Sequence, residues 1–570
     1  MSAATLLRSV CALVALLCVA LSARADDRPF SELVDLSPLE TVAVQTDGRI
    51  KSLSSFASET MSFISGPRRI AGNDPLFTYL DMLFRPDVYR DPDVIFVKKA
   101  ARERIAAAVL RGPLLADTAE RMEAFRASGL ISEKMLLREE VLKELQEMQA
   151  DLIRTAKIVD AIDGALKVKD PRFLLAKLRI VPRGDGDQTK PWHGISAVMF
   201  AEGKEPVPGS MLLLAEKSEP PSDLSESART AIADSWKGLV NGWIRGDAAA
   251  VSAAAKSLAD GLAKVDPASY PDQTRLSWEH WYFANDHMTR VWLVYMAASV
   301  LLLLAFVWKW PRARTAGFAV FAVAVALHTV AVLLRWYISG RWPNSNMFEA
   351  VTTSAWFGVL GAIAIEWLVR RTQMLGLFAL GGAVSAMVAL MAAHFLPVQL
   401  NPAIGNMMPV LHDVWLYIHT NVIIFSYVLI FMAAVSGALY LAHRAFGGAA
   451  AFARVGGAGS LILSGPRAGL GEVLDGVTMV LMEVSFVLLW AGIVMGAIWA
   501  DHSWGRPWGW DPKEVFALNT FIVFAVLVHV RLKAKDKGLW TAWLSVIGAL
   551  VMLFNWIVIN FVITGLHSYA

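Results

Sequence analysis

Residues 487–532 read VLLWAGIVMGAIWADHSWGRPWGWDPKEVFALNTFIVFAVLVHVRL, which is two apolar runs separated by a short polar segment. Apolar runs of about 20 residues with few charges are typical of helices that cross a membrane. The polar segment carries Trp504, Trp508 and Trp510, followed by Asp-Pro-Lys-Glu at 511–514. The stretch therefore predicts a helical hairpin in a membrane, with an aromatic turn at one boundary.

The composition of the whole chain agrees with a membrane protein. Of its 570 residues, 55% are hydrophobic, and the mean hydropathy is +0.46. These values are too apolar for a soluble globular protein and favour a membrane protein with a soluble portion. The net charge of +3 is small for this length and does not indicate a nucleic-acid-binding protein.

Residues 1–25 have the pattern of a secretory signal peptide. Arg8 precedes an apolar stretch of about 14 residues, and Ala23-Arg24-Ala25 fits a cleavage site. The two cysteines, Cys11 and Cys18, both lie in this signal. A mature chain beginning near Asp26 would have no thiol, so it could form no disulfide and offer no sulfur ligand.

The remaining chain divides into an extracytoplasmic domain of unknown role at 26–285 and a membrane domain at 286–570. Helical spacing of apolar residues from Val97 to Lys169 predicts two or more amphipathic helices in the first domain. Apolar runs in the second domain predict eight spanning helices, near 291–310, 316–337, 350–369, 374–395, 414–442, 474–498, 515–532 and 541–564. The predicted fold class is therefore mainly α: a polytopic membrane helical bundle preceded by a largely helical extracytoplasmic domain.

Basic residues predict the orientation of the helices. If the signal exports the first domain, every second loop faces the cytoplasm, where Lys and Arg are expected to accumulate. Those loops contain Lys309, Arg312, Arg314, Arg370, Arg371, Arg444, Arg454, Arg467, Arg531, Lys533, Lys535 and Lys537. This topology places the first domain, the aromatic turn and the C-terminus on the periplasmic side of a bacterial inner membrane.

The tryptophan-rich segment (residues 499–515) is predicted to be a loop that ends in a helix start signal. Asp511 suits an N-cap, Pro512 the first helical position and Glu514 the capping-box partner. This signal explains the carboxylates without any ligand.

The tryptophans of this segment need a different explanation. Interfacial Trp residues normally spread over many helix ends, whereas Trp504, Trp508 and Trp510 are crowded together, with Trp499 just before them. Flat aromatic rings gathered in one place suit a large planar ligand that binds by stacking.

A planar ligand that contains iron also needs axial donors, and several histidines are suitably placed. The outer-side candidates are His412 and His419 at the start of the fifth helix, His502 next to the clustered tryptophans, and His567 after the eighth helix. His328 and His529 lie inside apolar helices, where a costly ionisable group is a functional candidate. Either of these two can equally be a packing residue.

The combination of motifs resembles the CcsA (ResC) family, the haem-handling subunits of the system II cytochrome c synthase. The resemblance rests on W-G-x-x-W-x-W-D-P-K-E at 504–514, a helix ending in His-x-Arg at 529–531, and Gly-Leu-His-Ser-Tyr at 565–569. MPVLHDVWLYIHT at 408–420 and RWYISGRWPNSNMFEA at 335–350 are also similar to family segments. The resemblance covers roughly residues 290–570, and no CcsB (ResB) portion is recognisable before it.

The resemblance implies that haem b crosses to the outer face and is displayed on the tryptophan-rich segment, which carries the family's WWD motif. His419 and His567 would be the external axial ligands of the iron, and His529 an internal ligand, with His328 a candidate for a second internal one. Trp504, Trp508 and Trp510 would wall the catalytic site, and Asp511 would orient the haem propionates or only cap its helix. The implied activity is that of a cytochrome c synthase (haem lyase), exercised together with a CcsB-like membrane subunit.

The implied substrate is an apocytochrome c with a Cys-x-x-Cys-His segment, whose thiols a separate thiol-reducing system keeps reduced. Two alternatives remain open on the residues alone. A membrane b-type haem electron carrier would need facing histidine pairs, which His328 and His529 could supply. A non-haem transporter would use histidines as proton relays but would leave the tryptophan cluster unexplained.

Overall fold

The computed structural model describes residues 29–46, 48–67, 69–112, 117–151, 155–187, 190–199, 221–268, 270–284, 288–370, 374–406, 413–453 and 469–561. The predicted signal peptide, His412 and His567 lie outside these ranges. Contacts divide the chain into two units, Met1–His280 and Trp281–Ala570. The division falls close to the boundary at 285 that composition suggests.

The first unit is built from helices and two short pairs of antiparallel strands, so the prediction of a largely helical domain is confirmed. Its helices are α1 Phe30–Leu33, α2 Ser37–Glu40, α3 Leu53–Ser65, α4 Pro75–Phe84, α5 Lys99–Arg111, α6 Thr118–Ser128, α7 Glu133–Leu136, α8 Glu139–Ala150, α9 Ala156–Lys169, α10 Pro171–Lys177, α11 Ile195–Met199, α12 Glu226–Arg245, α13 Ala248–Ala263 and α14 Gln273–Ala284, which runs past His280 into the second unit. Its strands are β1 Ala43–Thr46, paired with β2 Arg49–Ser52, and β3 Ile95–Phe96, paired with β4 Leu130–Ile131.

A buried carboxylate links α4 to α12 and to the turn that follows α4. Asp81 on α4 accepts hydrogen bonds from Trp243 Nε1 at 2.7 Å, Tyr89 Oη at 2.8 Å and Arg85 Nε at 2.6 Å. A buried charge with three donors is satisfied, as buried polar groups in folded proteins normally are. Within the described residues, no group of three or more His, Cys, Asp or Glu side chains is placed to hold a metal ion.

The described residues of the second unit form eight helices that are long and apolar enough to cross a membrane, so the prediction of a polytopic helical bundle is confirmed. They are α15 Trp292–Trp308, α16 Pro311–Ser339, α17 Met347–Val369, α18 Leu377–Phe395, α19 Val414–Ala445, α20 Leu470–Trp504, α21 Pro512–Lys533 and α22 Lys537–Phe561. A 3₁₀ turn at Thr289–Val291 leads into the first of them. Because the chain reverses between successive helices, Asp413, Trp504 and Pro512 lie at one end of the bundle, called here the aromatic end.

The loop at the aromatic end is shorter than the predicted 499–515. Helix α20 continues through Trp499 to Trp504 and stops at Gly505, whose φ of 68° is the left-handed conformation that commonly ends helices. Helix α21 begins at Pro512. Trp504 therefore belongs to a helix end, and the residues between the helices are 505–511.

Candidate functional site

His419 is held against α20 by two glycines one helical turn apart. Its Nδ1 lies 2.7 Å from the carbonyl oxygen of Gly492. A Cβ atom added to Gly496 would come 2.6 Å from Cε1 of the imidazole, and one added to Gly492 would come 2.5 Å from Ile423. Gly492 and Gly496 thus form a small-xxx-small motif that lets α19 and α20 approach closely in a membrane.

The hydrogen bond to Gly492 determines which ring nitrogen of His419 carries the proton. A carbonyl oxygen can only accept, so Nδ1 must be the donor. In the neutral imidazole the lone pair is then at Nε2, the atom that a metal would bind. Metal-binding histidines in proteins are commonly oriented by such a bond from the other ring nitrogen to a backbone carbonyl.

Asp413 makes two contacts at the aromatic end of the bundle, near His419. Asp413 caps α19 by accepting from the backbone N–H of Trp415 at 2.6 Å. The same carboxylate lies 3.7 Å from Nδ1 of His502, near the end of α20. The His502 side chain is 52% exposed, so this contact is weak. His419 therefore has the more constrained environment of the two.

The tryptophans form two edge-to-face pairs rather than one stack. Trp499 is buried, and its ring centroid lies 4.8 Å from that of Trp504. The Trp508 and Trp510 centroids are 5.9 Å apart, with an interplanar angle of 90°. Both are common edge-to-face arrangements of aromatic rings. From Gly496 to Trp504 the helix rises about 12 Å, so the first pair lies beyond His419 toward the aromatic end.

Trp510 combines an exposed ring with an unusual backbone. Its φ is 57°, and 72% of its surface is exposed. The left-handed conformation costs a residue with a side chain about 1–2 kcal/mol. Such strained residues cluster at functional sites. Trp510 therefore exposes a flat apolar ring while its backbone adopts a conformation that costs free energy.

The predicted helix start at 511–514 is confirmed. Asp511 is the N-cap and accepts from the backbone N–H of Lys513 at 3.1 Å. Glu514 Oε2 accepts from the backbone N–H groups of Asp511 at 3.1 Å and Gly509 at 2.8 Å, which completes the capping box. Both carboxylates therefore have a structural role in holding the end of the loop.

His529 lies at the opposite end of the bundle, in a groove. The groove has a volume of about 790 Å³ and lies between the end of α21 and the start of α22. Nδ1 of His529 donates to the carbonyl oxygen of Ala525 at 2.6 Å, so this imidazole also carries its lone pair at Nε2. His529 and His419 thus share one tautomer, held by a backbone carbonyl.

His328 has a different environment. Its Nδ1 accepts from Tyr295 Oη at 3.2 Å, and its Nε2 donates to the carbonyl oxygen of Thr352 at 3.1 Å. The adjoining cavity measures about 20 Å³, which is room for a water molecule and no more. Both ring nitrogens of His328 are therefore engaged in a packed interior.

A buried ion-pair cluster near the aromatic end is absent from the sequence-based prediction. Glu349 is fully buried, and its Oε1 accepts from Arg335 Nε at 3.0 Å and Nη2 at 2.9 Å. Its Oε2 accepts from Arg341 Nη1 at 2.9 Å and Ser345 N at 2.8 Å. Arg335 also donates to the carbonyl oxygen of Pro402 at 2.9 Å. Opposite charges at the ends of neighbouring apolar helices were the signal that could have revealed this cluster.

The comparisons with known proteins concern the membrane unit. A family described as Cytochrome C assembly protein matches residues 344–567. The chain is 34% identical to the "Cytochrome c biogenesis protein CcsA" of Parasynechococcus marenigrum (strain WH8102), covering 48% of this chain and 94% of that protein. It is 31% identical to the protein of that name from Synechococcus sp. (strain RCC307), covering 50% and 96%, and 30% identical to the one from Guillardia theta, covering 43% and 83%. With a tryptophan-rich turn between two spanning helices and nearly the whole length of such relatives matched, the chain belongs to the CcsA family of cytochrome c biogenesis proteins.

Proposed function

We propose that this protein carries haem b to the outer face of a bacterial inner membrane and presents it for covalent attachment to apocytochrome c. The observation that carries the proposal is the His419 imidazole, whose Nδ1–H bond to Gly492 leaves the lone pair at Nε2 near the aromatic end of the bundle. An imidazole oriented in this way, near clustered tryptophans, suits a planar iron-containing substrate. His567, outside the described residues, is the proposed second axial ligand.

The tryptophans would wall the haem on its outer face. Trp510 presents an exposed ring on a strained backbone, and binding a planar ligand would cover apolar surface that water now contacts. The indole nitrogen of Trp508 is buried with no hydrogen-bond acceptor among the described residues. A polar atom of the bound haem would be a suitable acceptor, because an unpaired buried donor costs about 1–3 kcal/mol.

The reaction is addition of two cysteine thiols of a Cys-x-x-Cys-His segment across the haem vinyl groups. Each addition forms one S–C bond, the thiol proton ends on the neighbouring vinyl carbon, and no electron is gained or lost overall. The chain contributes orientation: His419 and His567 hold the iron, and the tryptophans hold the ring while the thiols approach. This is the activity of a cytochrome c synthase, which we assign to the chain together with a CcsB-like membrane subunit.

The internal histidines fit the proposal unequally. The Nδ1–H of His529 donates to a backbone carbonyl, which leaves Nε2 as the nitrogen that would bind iron. The adjoining groove is large enough for a cofactor, since ligand sites commonly measure about 300–1,000 Å³. His328, with both nitrogens hydrogen-bonded, is better explained as a packing residue. This difference also weakens the electron-carrier alternative, which would use His328 and His529 as a pair.

The absence of thiols from the proposed mature chain provides the experiment that tests this function. Both cysteines, Cys11 and Cys18, fall in the proposed signal peptide, so the mature protein cannot hold haem through thioether bonds. We expect the haem that co-purifies with it to be b-type and extractable by acidic organic solvent. Cytochrome c matured by the same cells should keep its haem through that extraction.

The same reasoning predicts a requirement for reduced substrate. A disulfide has no thiol to add to a vinyl group, so a separate reducing system must act first. An added thiol reductant should restore maturation in cells lacking that system but not in cells lacking this protein. Haem bound covalently to the mature chain, or maturation of a disulfide-bonded substrate without reductant, would contradict the proposal.

The Asp511→Asn variant separates the helix cap from a role of the charge. Asparagine keeps an oxygen that can cap α21, so we expect a cost of about 1 kcal/mol or less in stability. Haem content and cytochrome c maturation should also stay near wild type. Asp511→Ala, which removes the cap, should lower the melting temperature further. Normal stability and haem content of Asp511→Asn combined with failed maturation would instead assign the negative charge to function.

A further inference from the structure

The groove beside His529 has two other side chains with suitable chemistry. It is lined by Ala525, Val526, His529, Val530, Leu532, Lys533, Ala534 and Trp540. Most of these side chains are apolar, and the two exceptions at positions 529 and 533 lie one helical turn apart on α21. Residues four positions apart share one face of a helix.

Lys533 is a cation that the described structure does not neutralise. Two positions earlier, Arg531 is bidentate with Asp475, at 2.6 and 2.7 Å. Within the described residues, Lys533 has no carboxylate within 4.0 Å, and its side chain is exposed. A lysine at the edge of an apolar groove can therefore pair with a ligand anion, which an arginine already held by a carboxylate cannot do.

Trp540 supplies an aromatic surface from the second helix of the groove. It lies in the first turn of α22 and is 49% exposed. A half-exposed indole facing a groove can contact the face or edge of a planar ligand. The groove thus brings together a nitrogen lone pair, an aromatic wall and a cation.

We propose that Lys533 and Trp540 complete the internal haem site, with Lys533 pairing with a haem propionate and Trp540 packing against the porphyrin. The proposal rests on the assignment of His529 as an internal haem ligand. Lys533 lies about 6 Å further along the helix axis than His529, toward the end of α21. With a propionate held by Lys533, the haem would bind in one orientation, its propionates toward the end of α21.

The test compares haem with its dimethyl ester, in which the propionates carry no charge. Each ligand is titrated into the purified full-length protein in detergent, and internal-site binding is the part lost in His529→Ala. We expect the unaltered protein to bind haem about three- to tenfold more tightly than the ester, as for a partly exposed charged hydrogen bond. Lys533→Gln should bind both ligands equally, whereas Lys533→Arg and Lys535→Gln should keep the preference for haem.

Trp540 requires a separate comparison. Trp540→Leu should weaken haem and ester alike by about two- to tenfold, because a ring contact does not depend on the propionate charge. Trp543→Leu is the matched control, since Trp543 is 51% exposed on the same helix but does not line the groove. It should bind both ligands as the unaltered protein does.

Two results overturn the inference, and they differ in what else they overturn. If His529→Ala weakens haem binding but the unaltered protein does not discriminate haem from ester, Lys533 has no role at the propionate. If His529→Ala leaves haem binding unchanged, the internal site of the proposed function is wrong as well.

Discussion

His419→Ala should abolish cytochrome c maturation and sharply reduce the haem that co-purifies with the protein. Removing the imidazole removes the ring nitrogen that we propose as the iron ligand, which the bond to the Gly492 carbonyl orients. His567→Ala should have the same effect if it is the second axial ligand. The measurements are haem per protein after purification, the absorption spectrum, and covalently bound haem in the cytochrome fraction.

His502→Ala is the matched control for this prediction. His502 lies at the same end of the bundle, but its side chain is half exposed and its contact with Asp413, at 3.7 Å, is weak. It should retain most of the haem and most of the maturation, as should His412→Ala. A double variant of His419 and His567 with normal haem content and a six-coordinate spectrum would show that these residues are not the ligands.

Gly496→Ala offers a test of the same site that leaves every ligand in place. The new Cβ would lie 2.6 Å from Cε1 of His419, so the imidazole must move or the helices must separate. We expect a smaller loss of haem than in His419→Ala, with a changed spectrum. Gly469→Ala, at the N-cap of the same helix, is the control, because none of the described residues lies within 4 Å of its added Cβ.

Glu349→Gln should be the most destabilising single change in the membrane unit that leaves side-chain size unaltered. Glu349 is fully buried and neutralises Arg335, which is 2% exposed, and Arg341. Breaking a buried ion pair by removing one partner costs about 3–5 kcal/mol, because a charge is left without a counter-charge. The expected result is low abundance in membranes and a lower melting temperature of the purified protein.

The control for Glu349→Gln is the same substitution in an exposed pair. Glu139 on α8 is 2.7 Å from Lys143, with both side chains in water, so Glu139→Gln should leave the melting temperature unchanged. A double variant, Arg335→Leu with Glu349→Leu, should be more stable than Glu349→Leu alone, because the buried Arg335 is then no longer left without its counter-charge. A wild-type melting temperature for Glu349→Gln would contradict the buried-pair argument.

The features that follow from local chemistry were predictable from the sequence. Eight apolar runs separated by polar turns specify eight spanning helices, because a backbone in lipid must satisfy its own hydrogen bonds. The Asp-Pro-Lys-Glu run specifies a helix start, and the capping box is present at Asp511 and Glu514. Loop bounds were less predictable: nothing in the local pattern shows that Trp504 still belongs to α20.

Other features depend on residues that are far apart in the chain. The tautomer of His419 depends on Gly492, 73 residues away, and the burial of Arg335 and Glu349 depends on how α16 packs against α17. His328 and His529 look alike as single histidines in apolar helices, yet one is enclosed by Tyr295 and Thr352 and the other faces a groove. Periodicity and composition describe one helix at a time, whereas a ring nitrogen's partner is set by which helices are neighbours. That choice of neighbours, made by packing across the whole bundle, is why the ligand geometry emerges only in the folded protein.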